Sequence, residues 1–188
     1  MRKKITQDIL NWSINFVEKK NNKLNDWPIC PYAKQARLKN QVKIVEVKNA
    51  KDYLFTVVKE ARTIQEQNKK LIIVASNDMN ITIDELSCYI NALNHTFVMD
   101  DVYLMPFHPD DEGEEEVEFL EGEFELENEF YMVLIQPFKE LEKASSDLHK
   151  QGYYDKWNKE YYQDTVLKRQ TYRRNKKWSE NHQRKEQK

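Results

Sequence analysis

The chain reads as an α/β domain. We expect a mixed, mostly parallel sheet of four to six strands with flanking helices, an acidic β-hairpin insertion and a helical C-terminal extension. Three observations predict this. Segments with a helical apolar period alternate with short β-branched runs, the pattern of strands joined by helical crossovers. Leu71-Ile72-Ile73-Val74-Ala75 is continuously apolar, the mark of a central strand with cover on both faces. Residues 114–127 alternate acid and apolar side chains around Glu121-Gly122, the pattern of a hairpin with one carboxylate face.

The elements follow in order. Ile5, Ile9, Trp12 and Phe16 recur at helical spacing and predict a helix from about Thr6 to Lys20. Asn21, Asn22, Asn25 and Asp26 break it, and Pro28 and Pro31 hold an irregular segment. Ala33 to Leu38 suits a short helix with Pro31 at its start. Val42 to Val47 is β-branched and alternating, hence a strand. Tyr53, Val57, Ala61 and Ile64 mark a helix over about Ala50 to Gln67, and Leu71 to Ala75 is the central strand. Thr82-Ile83-Asp84-Glu85 is a capping box that opens a helix carrying Leu86, Ile90, Leu93 and Phe97. Asp101 to Phe107 is the next strand, and Phe130 to Ile135 the last. Pro137 opens a helix with Phe138, Leu141 and Leu148 that Gly152 stops. Tyr154, Trp157 and Tyr161 start a final helix that thins into a basic tail. Residues 1–152 thus form the core with its N-terminal helix, and 153–188 the aromatic helix and tail.

Composition narrows the function classes. With three glycines there is neither a GxGxxG nor a GxxxxGK[ST] phosphate loop. No apolar run approaches the roughly 20 residues of a membrane span, and the N-terminal Met-Arg-Lys-Lys lacks a signal peptide's apolar stretch. Cys30 and Cys88 follow no disulfide or metal spacing, which suits a reducing, cytoplasmic compartment. The net charge of −2 conceals an asymmetry: twelve acids and no base from Asp110 to Glu129, then nine Lys or Arg against two Glu from Lys168 to Lys188. Blocks of like charge are solvated tails or interaction segments, and these two complement one another. They predict salt-sensitive self-association or a protein partner, with nucleic acid second because the chain's pI is about 6.1. In the tail, Tyr161, Tyr162, Tyr172 and Trp178 interleave with bases. That mixture suits stacking and phosphate contact, or a helix whose aromatic side packs on the domain.

Two proline-fixed polar residues carry the site prediction. Cys30 lies between Pro28 and Pro31, and His108 precedes Pro109 at a strand end. Both fall on shaped loops, where function concentrates. Cys30 precedes a short helix that carries Lys34 and Arg37, an environment able to favour a thiolate. It reads equally as a buried structural thiol. Cys30 and His108 form a candidate nucleophile and base if their loops converge. Lys34, Arg37, Asp110 and Asp111 are the candidate ligand-binding residues around them. His108-x-Asp110 also matches two ligands of a non-haem iron triad, with His149 or His182 as a third, though such spacing arises readily by chance. Cys30-Pro31-Tyr32 is similar to glutaredoxin-type sites, but Ala33 stands where those have a second cysteine, which excludes a dithiol cycle.

Ile29-Cys30-Pro31-Tyr32-Ala33-Lys34, the Asp84-Glu85-Leu86 helix and Phe107-His108-Pro109 with Asp110 and Asp111 resemble the corresponding motifs of domain-of-unknown-function family 1415, an uncharacterised bacterial family. The resemblance spans roughly residues 8 to 111. The family's later Asn-Arg-Ser-Pro segment and Leu-Leu-Arg-Glu helix have no counterpart here. The resemblance implies candidate positions and no reaction. Two functions are therefore open: an enzyme or small-ligand protein with a loop cleft around Cys30 and His108, or a non-catalytic module acting through the acidic hairpin 110–129 and the tail 168–188. The sequence names no cofactor.

Overall fold

A computed structural model describes residues 5–110 and 130–172. The expected acidic hairpin, Asp111 and the tail beyond Tyr172 lie outside the described residues.

Helix α1 spans Ile5–Trp12 and then widens into a π-type turn at Ser13–Val17, instead of continuing as α-helix to Lys20. The Glu18 N–H bonds Ser13 O at 2.8 Å, five residues back, and the Ser13 hydroxyl bonds the Glu18 carboxylate. Periodicity of apolar residues does not reveal such a local change of pitch. The expected irregular segment holds a two-residue antiparallel ladder, β1 (Lys20–Asn21) with β2 (Trp27–Pro28). Asn25 and Asp26, at φ 54° and 64°, turn the chain between them in the left-handed region that Asn and Asp tolerate. Helix α2 covers Ala33–Leu38 as expected.

The main sheet contains β3 (Val42–Glu46), β4 (Leu71–Ser76), β5 (Val102–Phe107) and β6 (Tyr131–Pro137), in the order β3-β4-β6-β5. Helix α3 (Ala50–Thr63) joins β3 to β4, and α4 (Ile83–Phe97) joins β4 to β5. The α4 capping box is present, with Thr82 and Glu85 exchanging hydrogen bonds. The sheet is mixed, but not mostly parallel. Only β3 and β4 pair in parallel, while β6 inserts antiparallel between β4 and β5. The two strands joined by α4 run in the same direction without touching, because the last strand takes the central place.

One face of the sheet is sealed. Ile72, Val74, Leu104, Val133 and Ile135 pack there against Tyr53 and Val57 of α3 and Leu86 and Ile90 of α4, all 1% exposed or less. The opposite face carries Ile44, Leu71, Ile73 and Leu134 under Ile5 and Ile9 of α1. Here Ile44, Leu71 and Leu134 are only half-buried. The apolar run in β4 therefore has full cover on one side and partial cover on the other.

Helix α5 (Phe138–Lys150) follows β6 directly and packs through Phe138 against Tyr103. Gly152, at φ +75°, ends it in the left-handed conformation open to glycine. The residues after it do not form one continuous helix. Tyr153–Lys156 is a 3₁₀ turn, Trp157 is extended, and α6 (Lys159–Tyr162) starts afresh from the Asn158 cap. A π-type turn at Gln163–Leu167 leads into helix through Tyr172. The expected aromatic side does pack inward. Tyr153, Tyr154, Trp157 and Tyr161 gather with Trp27 around Leu24 and Leu148. Farther on, Arg169 is 3% exposed and donates to the Ser145 hydroxyl of α5 at 2.6 Å.

Candidate functional site

The Cys30 loop is held from both sides. The Cys30 N–H bonds Val17 O at 3.1 Å at the end of the π-type turn, and the Tyr153 hydroxyl donates to Ile29 O. Trp27 meets the Tyr153 ring edge-on at a centroid distance of 5.9 Å. The Arg37 guanidinium of α2 reaches back to Glu18 with two hydrogen bonds of 2.7 Å. A bidentate pair of this kind fixes orientation as well as charge. The Glu18 side chain is 4% exposed, so this pair locks α2 against the end of α1.

This arrangement leaves a cavity of about 550 Å³ between α1, α2 and α5 on the half-covered sheet face. Its floor includes Ile44, Leu71, Ile73 and Leu134, and its walls include Trp12, Cys30 and Ala144. The size is within the range of small-molecule sites, and an apolar lining with a few polar groups is their usual chemistry. The physical cause lies in residue size. Ala33, Ala36 and Ala144 line the cavity from the enclosing helices, and their small side chains leave volume that larger ones would fill.

Cys30 is half-buried, and burial pushes its thiol above the ordinary range. The N–H groups of Tyr32 and Ala33 pull it down, and the Glu18 charge raises it further. The thiol form therefore prevails at neutral pH, opposite to the activated thiolate that the helix and its bases suggested. Burial likewise raises the Tyr32 phenol, with Asp147 and Cys30 contributing. Hydrogen bonds from Arg37 hold the Glu18 carboxyl below its ordinary range.

His108 stands elsewhere. Its side chain is 3% exposed at the far end of β5, edge-on to Tyr131 at 4.7 Å, on the side of the sheet that α3 and α4 cover. Nε2 lies 2.7 Å from Ile81 O, and Nδ1 accepts the Asp110 N–H at 3.1 Å. This pattern places the ring proton on Nε2 and commits both nitrogens to backbone. The cavity reaches the other face, near the starts of β3 and β4 and the end of β6. Gln136 at that end and Tyr131 beside His108 are five residues apart on β6, roughly 16 Å of strand. The structure thus does not bring Cys30 and His108 together.

The other expected residues divide. Arg37 lines the cavity, whereas Lys34 is exposed and does not. Asp110 stays with His108, its carboxylate 3.7 Å from Nδ1 and 73% exposed. Among the described residues, no group of three His, Cys, Asp or Glu side chains is placed to hold a metal ion. His149 stacks on Tyr162, away from His108. Sequence reasoning missed the floor, the α5 wall and the amides Gln35, Gln41 and Gln136 around the cavity. One signal was available: Gln41 and Gln136 sit at the ends of apolar strands, where a strand enters or leaves the core.

Comparison with known protein families, with curated proteins and with solved structures gives no match for this chain.

Proposed function

We propose that this protein binds a small molecule in the cavity between α1, α2 and α5, with Cys30 in its wall as an un-ionised thiol and not as a nucleophile. The observation that carries this reading is the half-covered sheet face. Ile44, Leu71 and Leu134 stand partly open at the bottom of a cavity of about 550 Å³, while the other face is sealed. Leaving apolar strand side chains uncovered forfeits roughly 25 cal/mol for each Å² not buried, and a bound ligand recovers it. Binding without chemistry also suits a wall in which Glu18, the carboxylate whose charge acts on the thiol, is held by Arg37. The site includes the string Ile29-Cys30-Pro31-Tyr32-Ala33-Lys34, on which we also propose kinship with domain-of-unknown-function family 1415. Two free cysteines, with no described helix long and apolar enough to cross a membrane, support a cytoplasmic setting.

The test uses the full chain and N-phenyl-1-naphthylamine, an uncharged fluorophore that brightens in apolar surroundings. Fluorescence should rise and saturate near one equivalent. Ala36→Leu and Ala144→Leu each fill the cavity from a different helix and should abolish the rise while circular dichroism stays native. No saturable rise with the parent chain, or a rise unchanged in both folded variants, refutes the reading.

A further inference from the structure

We infer that the ligand of this cavity is an uncharged amphipathic molecule, with an apolar body and a hydrogen-bonding head of amide, carbonyl or hydroxyl type. The inference rests on the cavity being a ligand site and adds the ligand's class. It follows from how the charges around the cavity are disposed. Three cations line it: Arg37, Lys70 and Lys143. Two of them have an acid beside them. Arg37 is held by Glu18 in the bidentate pair, and Lys70 is paired with Glu140. Lys143 is exposed on α5 and has no ion-pair partner among the described residues, and Asp147 is paired with Lys150 at 3.8 Å. At the Gln41 and Gln136 end of the floor the bordering charges are Lys70, whose backbone N–H bonds Gln41 O, and Glu140, and these two neutralise one another, so neither an anionic nor a cationic head meets an uncompensated partner there. A charged head would give up its hydration without a partner, which is costly against an apolar floor.

Uncharged hydrogen-bonding groups are available. Gln35, Gln41 and Gln136 line the cavity, and among the described residues nothing engages their side-chain amides. Gln41 and Gln136 are half-buried at the sheet ends that border the apolar floor. Each amide offers a carbonyl acceptor and two N–H donors, so a head that both donates and accepts is matched. The Cys30 thiol and the Tyr32 phenol, both pushed toward their protonated forms, add uncharged groups to the same wall. The apolar body has Ile44, Leu71, Ile73 and Leu134 to lie on. The head would then sit toward Gln41 and Gln136.

Three ten-carbon probes separate the possibilities: decanamide, decanoate and decylamine, titrated calorimetrically below their aggregation limits into the full chain at pH 7. Decanamide should bind at least tenfold more tightly than either charged probe, and the ranking should persist at high salt. Gln41→Leu combined with Gln136→Leu should weaken decanamide about tenfold while circular dichroism stays native. Tighter or equal binding of decanoate or decylamine overturns the uncharged-head class and leaves the cavity reading in place. Decanamide affinity unchanged in the double variant also overturns the class. If none of the three binds and the fluorophore fails too, both readings fall.

Discussion

Asn94 is the side chain by which α4 grips the edge of the sheet, and its replacement tests the account of the fold most sharply. Asn94 is 2% exposed. Its Nδ2 donates to Leu104 O at 2.8 Å, and its Oδ1 accepts from Leu104 N at 2.9 Å. Strand β5 is the edge of the described sheet, so at Leu104 the backbone groups that do not meet β6 need another partner. The amide supplies both. Asn94→Ala removes both hydrogen bonds and leaves a buried donor and a buried acceptor. At about 1–3 kcal/mol for each buried group left unpaired, the loss should be about 2–6 kcal/mol. For a domain stabilised by about 5–15 kcal/mol that is a large fraction. Asn94→Asp sharpens the test. A carboxylate still accepts from Leu104 N but cannot donate to Leu104 O, and it brings a buried charge against a carbonyl. At pH 7 it should be at least as damaging as Ala. Protonation restores an O–H donor, so its deficit relative to the parent should narrow as the pH falls toward 4. The assay is urea denaturation followed by circular dichroism, with the slope checked for constancy between variants. A loss below about 0.5 kcal/mol for Asn94→Ala at unchanged slope would show that water already serves this edge, and the reasoning would be wrong.

Three further outcomes are expected. With a thiol reagent at pH 7, Cys88 should react well before Cys30, because Cys88 is exposed whereas burial raises the Cys30 thiol; faster modification of Cys30 would contradict the un-ionised wall thiol. The Glu18 carboxyl is held low in the folded state by Arg37, so its contribution is complete above the unfolded carboxyl range and is lost as pH falls through the folded value. The stability gap between parent and Glu18→Gln should therefore be flat above about pH 5 and close in more acid solution; a gap that stays constant down to pH 2.5 refutes the pairing. Gly152→Ala should cost roughly 1–2 kcal/mol, since φ is +75° and the new Cβ would lie 2.7 Å from Asp155 Oδ2. A thermal scan that shows no loss would mean the turn after α5 adopts another conformation.

How much of this protein its sequence alone determined depends on the range of the interactions involved. Short-range chemistry was legible. The Thr82 capping box, the Gly152 stop, the α2 span and the apolar stripes of α3 and α4 each depend on residues within one or two turns of each other. So did Arg37 as a residue of the site, since it follows Cys30 by two turns. Pairing order was not legible. That β6 inserts antiparallel between β4 and β5 is settled by which strand best covers which edge, and β4 and β6 meet across more than fifty residues of chain. The same holds for the site. Cys30 and His108 look alike in sequence, each a polar residue fixed by proline, but strand direction and face send them to opposite sides of the sheet. The thiol's environment likewise depends on what packs over it. A helix start and two bases predict a lowered pKa, whereas burial in the folded chain outweighs them. The cavity itself is a difference between the volumes of elements distant in sequence, with three alanines and half-covered strands in its lining, and only tertiary packing brings those volumes together.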